Sequence, residues 1–199
     1  MSAVVIIDSG GANIASLRAA LSRLGADSVV SADAAVIQRA PRVLLPGVGS
    51  AQDAMARLRL SGLDRLIPQL KQPLLGICLG MQILFERSEE GPANGLAVIP
   101  GNVEKLRRAP GIPVPHMGWN QLAQIQPDPL LEGVSSLDYV YFVHSFAVPL
   151  GSYSVASTDY SGNFTAVARR DNFCGTQFHP ERSSVVGARI LANFLKTSP

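Results

Sequence analysis

Short, unbroken apolar runs alternate with helical patterns in the first half of the chain, and this alternation is what most constrains the fold. Apolar runs at residues 3–7, 42–45 and 73–77, with a weaker one at 28–30, predict strands. The spacing of apolar residues at 14–24, 51–60, 63–71 and about 79–86 predicts helices. Strands that are covered by helices on both faces lack polar alternation because both sides are buried. We therefore predict a flavodoxin-like, three-layer α/β fold with a mostly parallel central sheet.

The second half has a different pattern. Strand-like runs at residues 102–106, 139–143, 153–157, 165–168 and 174–178 are separated by turns, and no long helix is expected before residues 184–196. Such a succession predicts an antiparallel extension of the same sheet. With 199 residues and no linker or repeat, we expect one domain over residues 1–199.

Composition excludes several classes of protein. The formal net charge is only +2, which gives no electrostatic reason to expect nucleic acid or an anionic membrane as a partner. No signal peptide or membrane-spanning run is visible, so a cytoplasmic location is expected. The two cysteines match no metal-ligand spacing, no phosphate-binding glycine motif occurs, and we expect neither metal nor cofactor.

A nucleophile motif stands at the end of the strand predicted at 73–77. Gly76-Ile77-Cys78-Leu79-Gly80 is the cysteine form of the strand–turn–helix nucleophile elbow, in which small flanking residues relieve crowding. N–H groups at the start of the following helix favour the thiolate, and the Leu79 N–H is a candidate oxyanion donor. Cys174 lies inside a predicted strand and is expected to be an inert core residue.

A base for this thiol is best sought at His179, among the three histidines. In His179-Pro180-Glu181, proline favours extended backbone at His179, and side chains two apart in extended chain face the same way. Glu181 is therefore expected to orient the imidazole towards Cys78, as in a catalytic triad. Neither His116 nor His144 has a carboxylate so placed.

These residues resemble a known family. Cys78 in Gly-Ile-Cys-Leu-Gly-Met-Gln, with His179 and Glu181 in Phe-His-Pro-Glu, resembles the Cys-His-Glu triad of the class I glutamine amidotransferases. The segments 46–49, 115–120, 141–145 and 177–183 are similar to the glutaminase subunits of imidazole glycerol phosphate synthases.

The resemblance implies a mechanism and a set of contacts. Cys78 attacks the glutamine amide, His179 protonates the departing ammonia, and water hydrolyses the thioester. The oxyanion loop would be Gly47, Val48 and Gly49, with the Val48 N–H as second donor. Glutamine would be contacted by Gln82, His144, Ser145 and Phe146.

The resemblance also implies a partner, a (β/α)8-barrel cyclase that forms a heterodimer with this chain and receives the ammonia in histidine biosynthesis. The residues expected at that interface are Asn13, Met117, Trp119 and Asn120. The loop after the first strand departs from the family pattern Asp-Tyr-Gly-x-Gly-Asn, because Ser9 and Ala12 replace its tyrosine and second glycine.

Three alternatives remain open. The chain is also compatible with the glutaminase subunit of another synthase, such as anthranilate or aminodeoxychorismate synthase, although the block at residues 116–120 disfavours this. A free-standing γ-glutamyl hydrolase would use the same triad without a partner. A non-enzymatic flavodoxin-like binding module would not depend on Cys78.

Overall fold

The computed structural model describes residues 4–9, 14–91 and 93–197. Strands and helices alternate in the first half, with a 3-10 turn at Ile67–Gln69. In chain order they are β1 Val4–Ile7, α1 Ile14–Arg23, β2 Ser28–Ser31, α2 Ala34–Arg39, β3 Val43–Gly47, α3 Ala51–Leu60, α4 Leu63–Leu66, β4 Leu74–Cys78 and α5 Leu79–Gln82.

Strands dominate the second half, with 3-10 turns at Pro129–Leu131 and Pro180–Arg182. They are β5 Arg87–Ser88, β6 Ala93–Asn94, β7 Asn102–Lys105, β8 His116–Gln121, β9 Gln124–Ile125, β10 Tyr139–His144, β11 Phe146–Ala147, β12 Ser154–Asp159, β13 Asn163–Arg170 and β14 Phe173–Thr176, followed by α6 Ser184–Lys196. No helix in the described ranges is long and apolar enough to cross a membrane.

The central sheet has eight strands in the order β2-β1-β3-β4-β14-β13-β12-β9. The five strands from β2 to β14 are parallel, and the three that follow are antiparallel. The predicted α/β fold with a parallel sheet and an antiparallel extension is therefore confirmed.

Two apolar layers cover the two faces of this sheet. Along β1, Val5 and Ile7 pack into one cluster, and Val4 and Ile6 pack into the other, because successive strand side chains point to opposite faces. The first cluster includes residues of α2, α3 and α4, and the second includes residues of α1 and α6. All residues of β1, β3, β4 and β14 are buried, which is why their sequences lack polar alternation.

Two predicted helices are shorter than their patterns indicated. The helix expected at 63–71 becomes a 3-10 turn after Leu66, where Pro68 supplies no N–H for the helical ladder. The helix expected to reach Glu86 is the single turn α5. The carbonyls of Ile83, Leu84 and Phe85 accept hydrogen bonds from residues 96–99 instead. Its dipole is accordingly small, which weakens the expected contribution of a helix to thiolate formation.

Two of the longer elements were not predicted. Helix α2 follows Asp33, whose carboxylate accepts hydrogen bonds from the N–H groups of Ala35 and Val36, a usable N-cap signal. Strand β8 pairs with β10 in a separate antiparallel ribbon, in which His116 lies opposite His144 and Trp119 lies opposite Tyr141. The sequence marked the residues of β8 as a motif and not as a strand.

Helix α6 holds the turn that follows β14. Gly187 lies so close to this turn that a Cβ on it would be 1.9 Å from the Pro180 carbonyl oxygen. The Gly187 N–H also donates to the Ser183 carbonyl at 2.9 Å. The turn that contains Glu181 is thereby packed against the buried face of α6.

We expect Gly187→Ala to lower the free energy of unfolding by about 2 kcal/mol, because the added methyl overpacks the contact with Pro180. The sign is diagnostic, since alanine would otherwise stabilise a helix interior by about 1 kcal/mol. Urea denaturation measures the change. Val185→Ala is the control, because Val185 is 77% exposed and should have little effect. An unchanged or higher stability of Gly187→Ala would mean that the turn is not held by this contact.

Candidate active site

Cys78 occupies the corner between β4 and α5. It has φ 54° and ψ −111°, a conformation that residues other than glycine rarely adopt. Such strain at the end of a buried strand is typical of a nucleophile elbow, which presents its side chain at the carboxyl edge of the sheet.

The small residues around this corner are required by close backbone contacts. A Cβ on Gly80 would be 1.7 Å from the Leu45 carbonyl oxygen, and a Cβ on Gly76 would be 2.6 Å from the Gly80 carbonyl oxygen. A Cβ on Gly47 would be 2.7 Å from the Gly80 nitrogen. The elbow therefore packs directly on β3, and the crowding expected from the motif is present.

His179 follows β14, the strand that pairs with β4. Its backbone N–H donates to the Tyr141 carbonyl at 2.9 Å, and its carbonyl accepts from Ser183 Oγ at 2.7 Å. The Nδ1 atom lies 2.8 Å from Glu181 Oε1. The contact anticipated between these side chains is present, but Glu181 lies in the 3-10 turn at Pro180–Arg182 rather than in extended chain.

The electrostatics of His179 couple it to both neighbours. Burial alone would lower the pKa of the His179 imidazole, but hydrogen bonds with Cys78 and Glu181, and the charges of these groups, outweigh burial and raise it to about 10. The other Glu181 oxygen, Oε2, is buried without a hydrogen-bond partner among the described residues. The carboxylate therefore stabilises the protonated form of the His179 ring, and the arrangement favours an imidazolium beside the sulfur.

The loop Gly47-Val48-Gly49 lies beside Cys78. Gly47 is directly opposite Cys78 in the register of β3 and β4. Gly49 has φ +89°, which L-residues with a side chain rarely adopt, and all three loop residues line the same cleft as the sulfur. The loop is therefore adjacent to the position where negative charge would develop during attack on a carbonyl.

The sulfur opens into a cleft of about 380 Å³, a size suited to a small molecule. The cleft contains Cys78, His179 and Glu181 together with the residues expected at the oxyanion and glutamine positions. Its lining is Gly47, Val48, Gly49, Cys78, Leu79, Gln82, Glu90, Pro115, Val143, His144, Ser145, Phe146, His179, Glu181 and Arg182.

A buried pair of amides connects the cleft wall to the sulfur. Gln82 Nε2 donates to the Phe146 carbonyl at 2.7 Å and to Gln177 Oε1 at 2.9 Å. Gln177 Nε2 lies 3.8 Å from Cys78 Sγ, and Sγ lies 3.8 Å from the Val143 carbonyl. The sequence assigns no role to Gln177, because nothing local distinguishes a strand-end glutamine that faces the elbow.

Glu90 is a second functional candidate that the sequence did not reveal. It lines the cleft, and its Oε2 accepts from the Ala51 N–H at 2.7 Å. Burial raises the pKa of Glu90, the Ala51 hydrogen bond lowers it, and the charge of Asp53 raises it further. The residue lies in a loop between short strands, where only the tertiary fold brings it to the cleft.

His144 and Ser145, which were expected to contact glutamine, also make hydrogen bonds within the protein. Both line the cleft, but the two ring nitrogens of His144 are already engaged, with the Phe146 carbonyl at 2.8 Å and with His116 Nδ1 at 3.0 Å. The Ser145 carbonyl accepts from the Leu106 N–H. These contacts leave the His144 ring without a nitrogen for a ligand.

The β8–β10 ribbon exposes large apolar side chains on its outer face. Met117 is 64%, Trp119 52% and Tyr139 53% exposed. Trp119 packs edge-on against Tyr141, and the Arg182 guanidinium lies over the Tyr141 ring. Of the expected interface residues, Asn120 instead directs its amide inwards, to the Asp159 carbonyl at 3.0 Å. Asn13 lies outside the described residues.

Two further residues of interest are accounted for by packing. Burial raises the pKa of the Cys174 thiol to about 12, Arg169 lowers it and Asp128 raises it, so this cysteine is protonated. Its Sγ donates to the Leu74 carbonyl at 3.3 Å. Ser9, which departs from the family pattern, is buried, and its Oγ donates to the Pro46 carbonyl at 2.9 Å next to the oxyanion loop.

Known structures share this architecture. A Thermoplasma acidophilum protein that is described as a putative GMP synthase subunit superposes with a TM-score of 0.77 at 21% identity, covering 98% of this chain and 92% of that one. PurLQS from Thermotoga maritima superposes with a TM-score of 0.69 at 16% identity, covering 98% of each chain. At these identities the likeness concerns the fold alone.

Sequence comparison is more specific. Residues 5–197 match the family "Glutamine amidotransferase class-I". The chain is 54% identical to the imidazole glycerol phosphate synthase subunit HisH of Xylella fastidiosa (strain 9a5c) over 196 residues, 98% of each protein. It is 52% identical to the HisH subunit of Xanthomonas axonopodis pv. citri (strain 306) over 198 residues, 100% of this chain and 99% of the relative. The chain therefore belongs to the class-I glutamine amidotransferase family and, within it, to the HisH subunits of imidazole glycerol phosphate synthase.

Proposed function

We propose that this chain hydrolyses glutamine to glutamate and ammonia through Cys78, His179 and Glu181. The observation that carries the proposal is that His179 lines the same cleft as Cys78 while its Nδ1 lies 2.8 Å from Glu181 Oε1, and that both neighbours raise the pKa of its imidazole. A thiolate beside an imidazolium that is oriented by a carboxylate is the arrangement needed for acyl transfer at neutral pH.

The proposed reaction has two halves. The Cys78 thiolate attacks the side-chain carbonyl carbon of glutamine, and the C=O electrons move to oxygen, where the N–H groups of Val48 and Leu79 stabilise the charge. His179 gives its proton to the nitrogen as the C–N bond breaks, and ammonia leaves. Water, deprotonated by His179, then attacks the γ-glutamyl thioester and releases glutamate and the thiolate.

The polar groups of the cleft fit the substrate. Glu90 is a carboxylate in the cleft besides Glu181, and we assign it to the α-ammonium group of glutamine. Gln82, Ser145 and Phe146 also line the cleft, and His144 Nδ1 donates to the Phe146 carbonyl. A glutamine side chain can then extend from Glu90 towards the sulfur.

The proposed partner is a (β/α)8-barrel cyclase that forms a heterodimer with this chain in the cytoplasm. The relatives are named as subunits of imidazole glycerol phosphate synthase, which supports an obligatory second component. The ammonia would be used there to make imidazole glycerol phosphate and aminoimidazole carboxamide ribonucleotide in histidine biosynthesis. The exposed face of Met117, Trp119 and Tyr139 is the proposed docking surface, because exposed aromatic clusters of this kind are typical of interfaces.

Cys78→Ala should lower glutamate release by at least about 1000-fold, because no other group supplies the acyl acceptor. The assay is glutamate formation by the chain assembled with its cyclase subunit and that subunit's ligand. Cys174→Ala is the matched control: its thiol is a buried packing group, and turnover should stay within about twofold. Glutamate release that survives Cys78→Ala would point to another nucleophile.

Glu181→Gln should lower kcat/KM by roughly 100-fold, the scale of impaired general acid–base catalysis. It should also move the alkaline limb of the pH profile to lower pH by about one unit or more. The sign follows because Glu181 raises the pKa of His179, so its loss lowers that pKa, and the imidazolium disappears at lower pH.

The pH profile of kcat/KM measures this shift, with Glu132→Gln at an exposed position as the control. An alkaline limb that stays in place, or moves upwards, in Glu181→Gln would contradict the assigned role of this carboxylate.

Trp119→Ala should weaken binding of the cyclase subunit about 30-fold, or about 2 kcal/mol, the size expected for a central aromatic interface residue. Isothermal titration calorimetry measures the affinity. Leu60→Ala provides the control, because Leu60 is 89% exposed at the end of α3 and lies outside the β8–β10 ribbon. Equal affinities of the two variants would remove this ribbon as the docking surface.

A further inference from the structure

His116 and His144 are buried, and the proposed triad uses neither of them. They are the directly opposed pair at one end of the β8–β10 ribbon, and His116 Nδ1 lies 3.0 Å from His144 Nε2. The His116 ring is also stacked between Tyr160 and Phe142. Burying a polar contact among aromatic rings costs free energy unless each polar atom has a hydrogen-bond partner.

The hydrogen bonds fix the protonation of both rings. The Phe146 carbonyl can only accept, so His144 Nδ1 carries a proton and donates to it at 2.8 Å. In the neutral ring the His144 Nε2 atom is then an acceptor, and His116 Nδ1 must be the donor in the contact between the histidines. This leaves His116 Nε2 as an acceptor.

The other end of the chain of contacts gives the same assignment independently. The Asn120 amide is oriented by two backbone groups: its Nδ2 donates to the Asp159 carbonyl at 3.0 Å, and its Oδ1 accepts from the Gln121 N–H at 2.8 Å. Its Nδ2 therefore also presents a proton to His116 Nε2, 3.4 Å away. Both ends require two neutral rings that are protonated on Nδ1.

The surroundings favour the neutral form. Burial lowers the pKa of His116 to about 4. Burial also lowers the pKa of His144 to about 3, where the Phe146 hydrogen bond opposes it and the charges of His116 and His179 add to it. The two rings therefore remain uncharged at physiological pH.

This series of hydrogen bonds, from Asn120 through His116 and His144 to the Phe146 carbonyl, ends on the wall of the cleft. The Phe146 carbonyl that His144 holds also accepts from Gln82 Nε2, whose other proton goes to Gln177 Oε1. Both amide protons of Gln82 are thus used inside the protein, and only its Oε1 is left to meet a ligand. Because the Phe146 carbonyl binds one of these protons, its orientation fixes that of the Gln82 amide. This wall of the cleft consequently offers a hydrogen-bond acceptor rather than a donor.

We propose that His116 and His144 are positioning residues, a tautomer-locked pair that holds the Phe146 carbonyl and, through it, turns the Gln82 oxygen towards the cleft. This rests on the proposed function, because the ligand is taken to be glutamine. The Gln82 oxygen on this wall can accept hydrogen bonds from the N–H groups of glutamine. It disfavours binding of anionic oxygens such as those of the product glutamate.

The first test is spectroscopic and needs no substitution. The chain is labelled with 15N-histidine, assembled with an unlabelled cyclase subunit, and examined by long-range 1H–15N correlation between pH 5 and 8. We expect His116 and His144 to show the Nδ1–H tautomer, the minor form of free imidazole, and not to titrate. An Nε2–H tautomer at either residue, or titration of either one in this range, would overturn the proposal.

The second test separates the hydrogen bond from packing. His116→Asn keeps an N–H donor near the position of Nδ1, whereas His116→Leu has a similar size but no donor, and both lose the stacked ring. We expect a glutamine KM about tenfold higher for His116→Leu than for His116→Asn, the scale of one hydrogen bond, with kcat equal within about twofold. Equal KM values would refute the positioning role. If the leucine variant does not fold, the tautomers of the unaltered chain decide.

The two proposals fail separately. If the proposed function is wrong, glutamate release will not depend on Cys78. The tautomers of His116 and His144 test the hydrogen-bonded pair whether or not the chain hydrolyses glutamine.

Discussion

The close approach of the elbow to strand β3 is the contact on which the active site depends. Gly47, Gly76 and Gly80 lack side chains where any Cβ would meet backbone within 2.7 Å. The backbone of α5 can therefore lie on the Leu45 carbonyl, and Cys78 reaches the edge of the sheet beside the oxyanion loop. Because β14 pairs with β4 on the other side, His179 leaves the sheet at the same edge. Parallel strands thus bring three distant segments together with no need for a long helix after the nucleophile.

The β8–β10 ribbon gives the second half of the chain two roles at once. Its strict alternation sends Met117, Trp119 and Tyr141 outwards, while His116 and His144 face the interior. If the pairing of β8 and β10 shifted by one residue, the inward-facing and outward-facing side chains would change places. Burial of the two histidines therefore fixes the register of the ribbon. Strand β10 consequently contributes to both roles, because Tyr139 lies on the proposed docking face whereas Val143 and His144 line the cleft.

Much of the fold was predictable because it rests on local patterns. The buried strands of the parallel sheet appear as apolar runs, and the contact between His179 and Glu181 needs only a two-residue spacing. What the sequence did not reveal depends on distant neighbours. The helix does not continue beyond α5 because residues 96–99 donate to the carbonyls of Ile83, Leu84 and Phe85. Gln177 approaches the Cys78 sulfur, and Glu90 reaches the cleft, only after the sheet and the loop before β6 have formed. Strand β8 was missed because its glycine and polar residues weaken the strand pattern, and its partner β10 supplies the missing stabilisation.

The three histidines show how neighbours, rather than burial, decide the chemistry of a residue. All three are buried, and burial alone lowers the pKa of each ring. Only His179 faces a carboxylate and a thiol, and these reverse the effect, so that the pKa rises to about 10. His144 faces a carbonyl and a second imidazole, which can be satisfied by a neutral ring of one tautomer. The cleft is therefore lined by His179, whose ring can give and take up a proton, and by His144, which with His116 stays uncharged, so that His179 is the group suited to proton transfer among the three histidines.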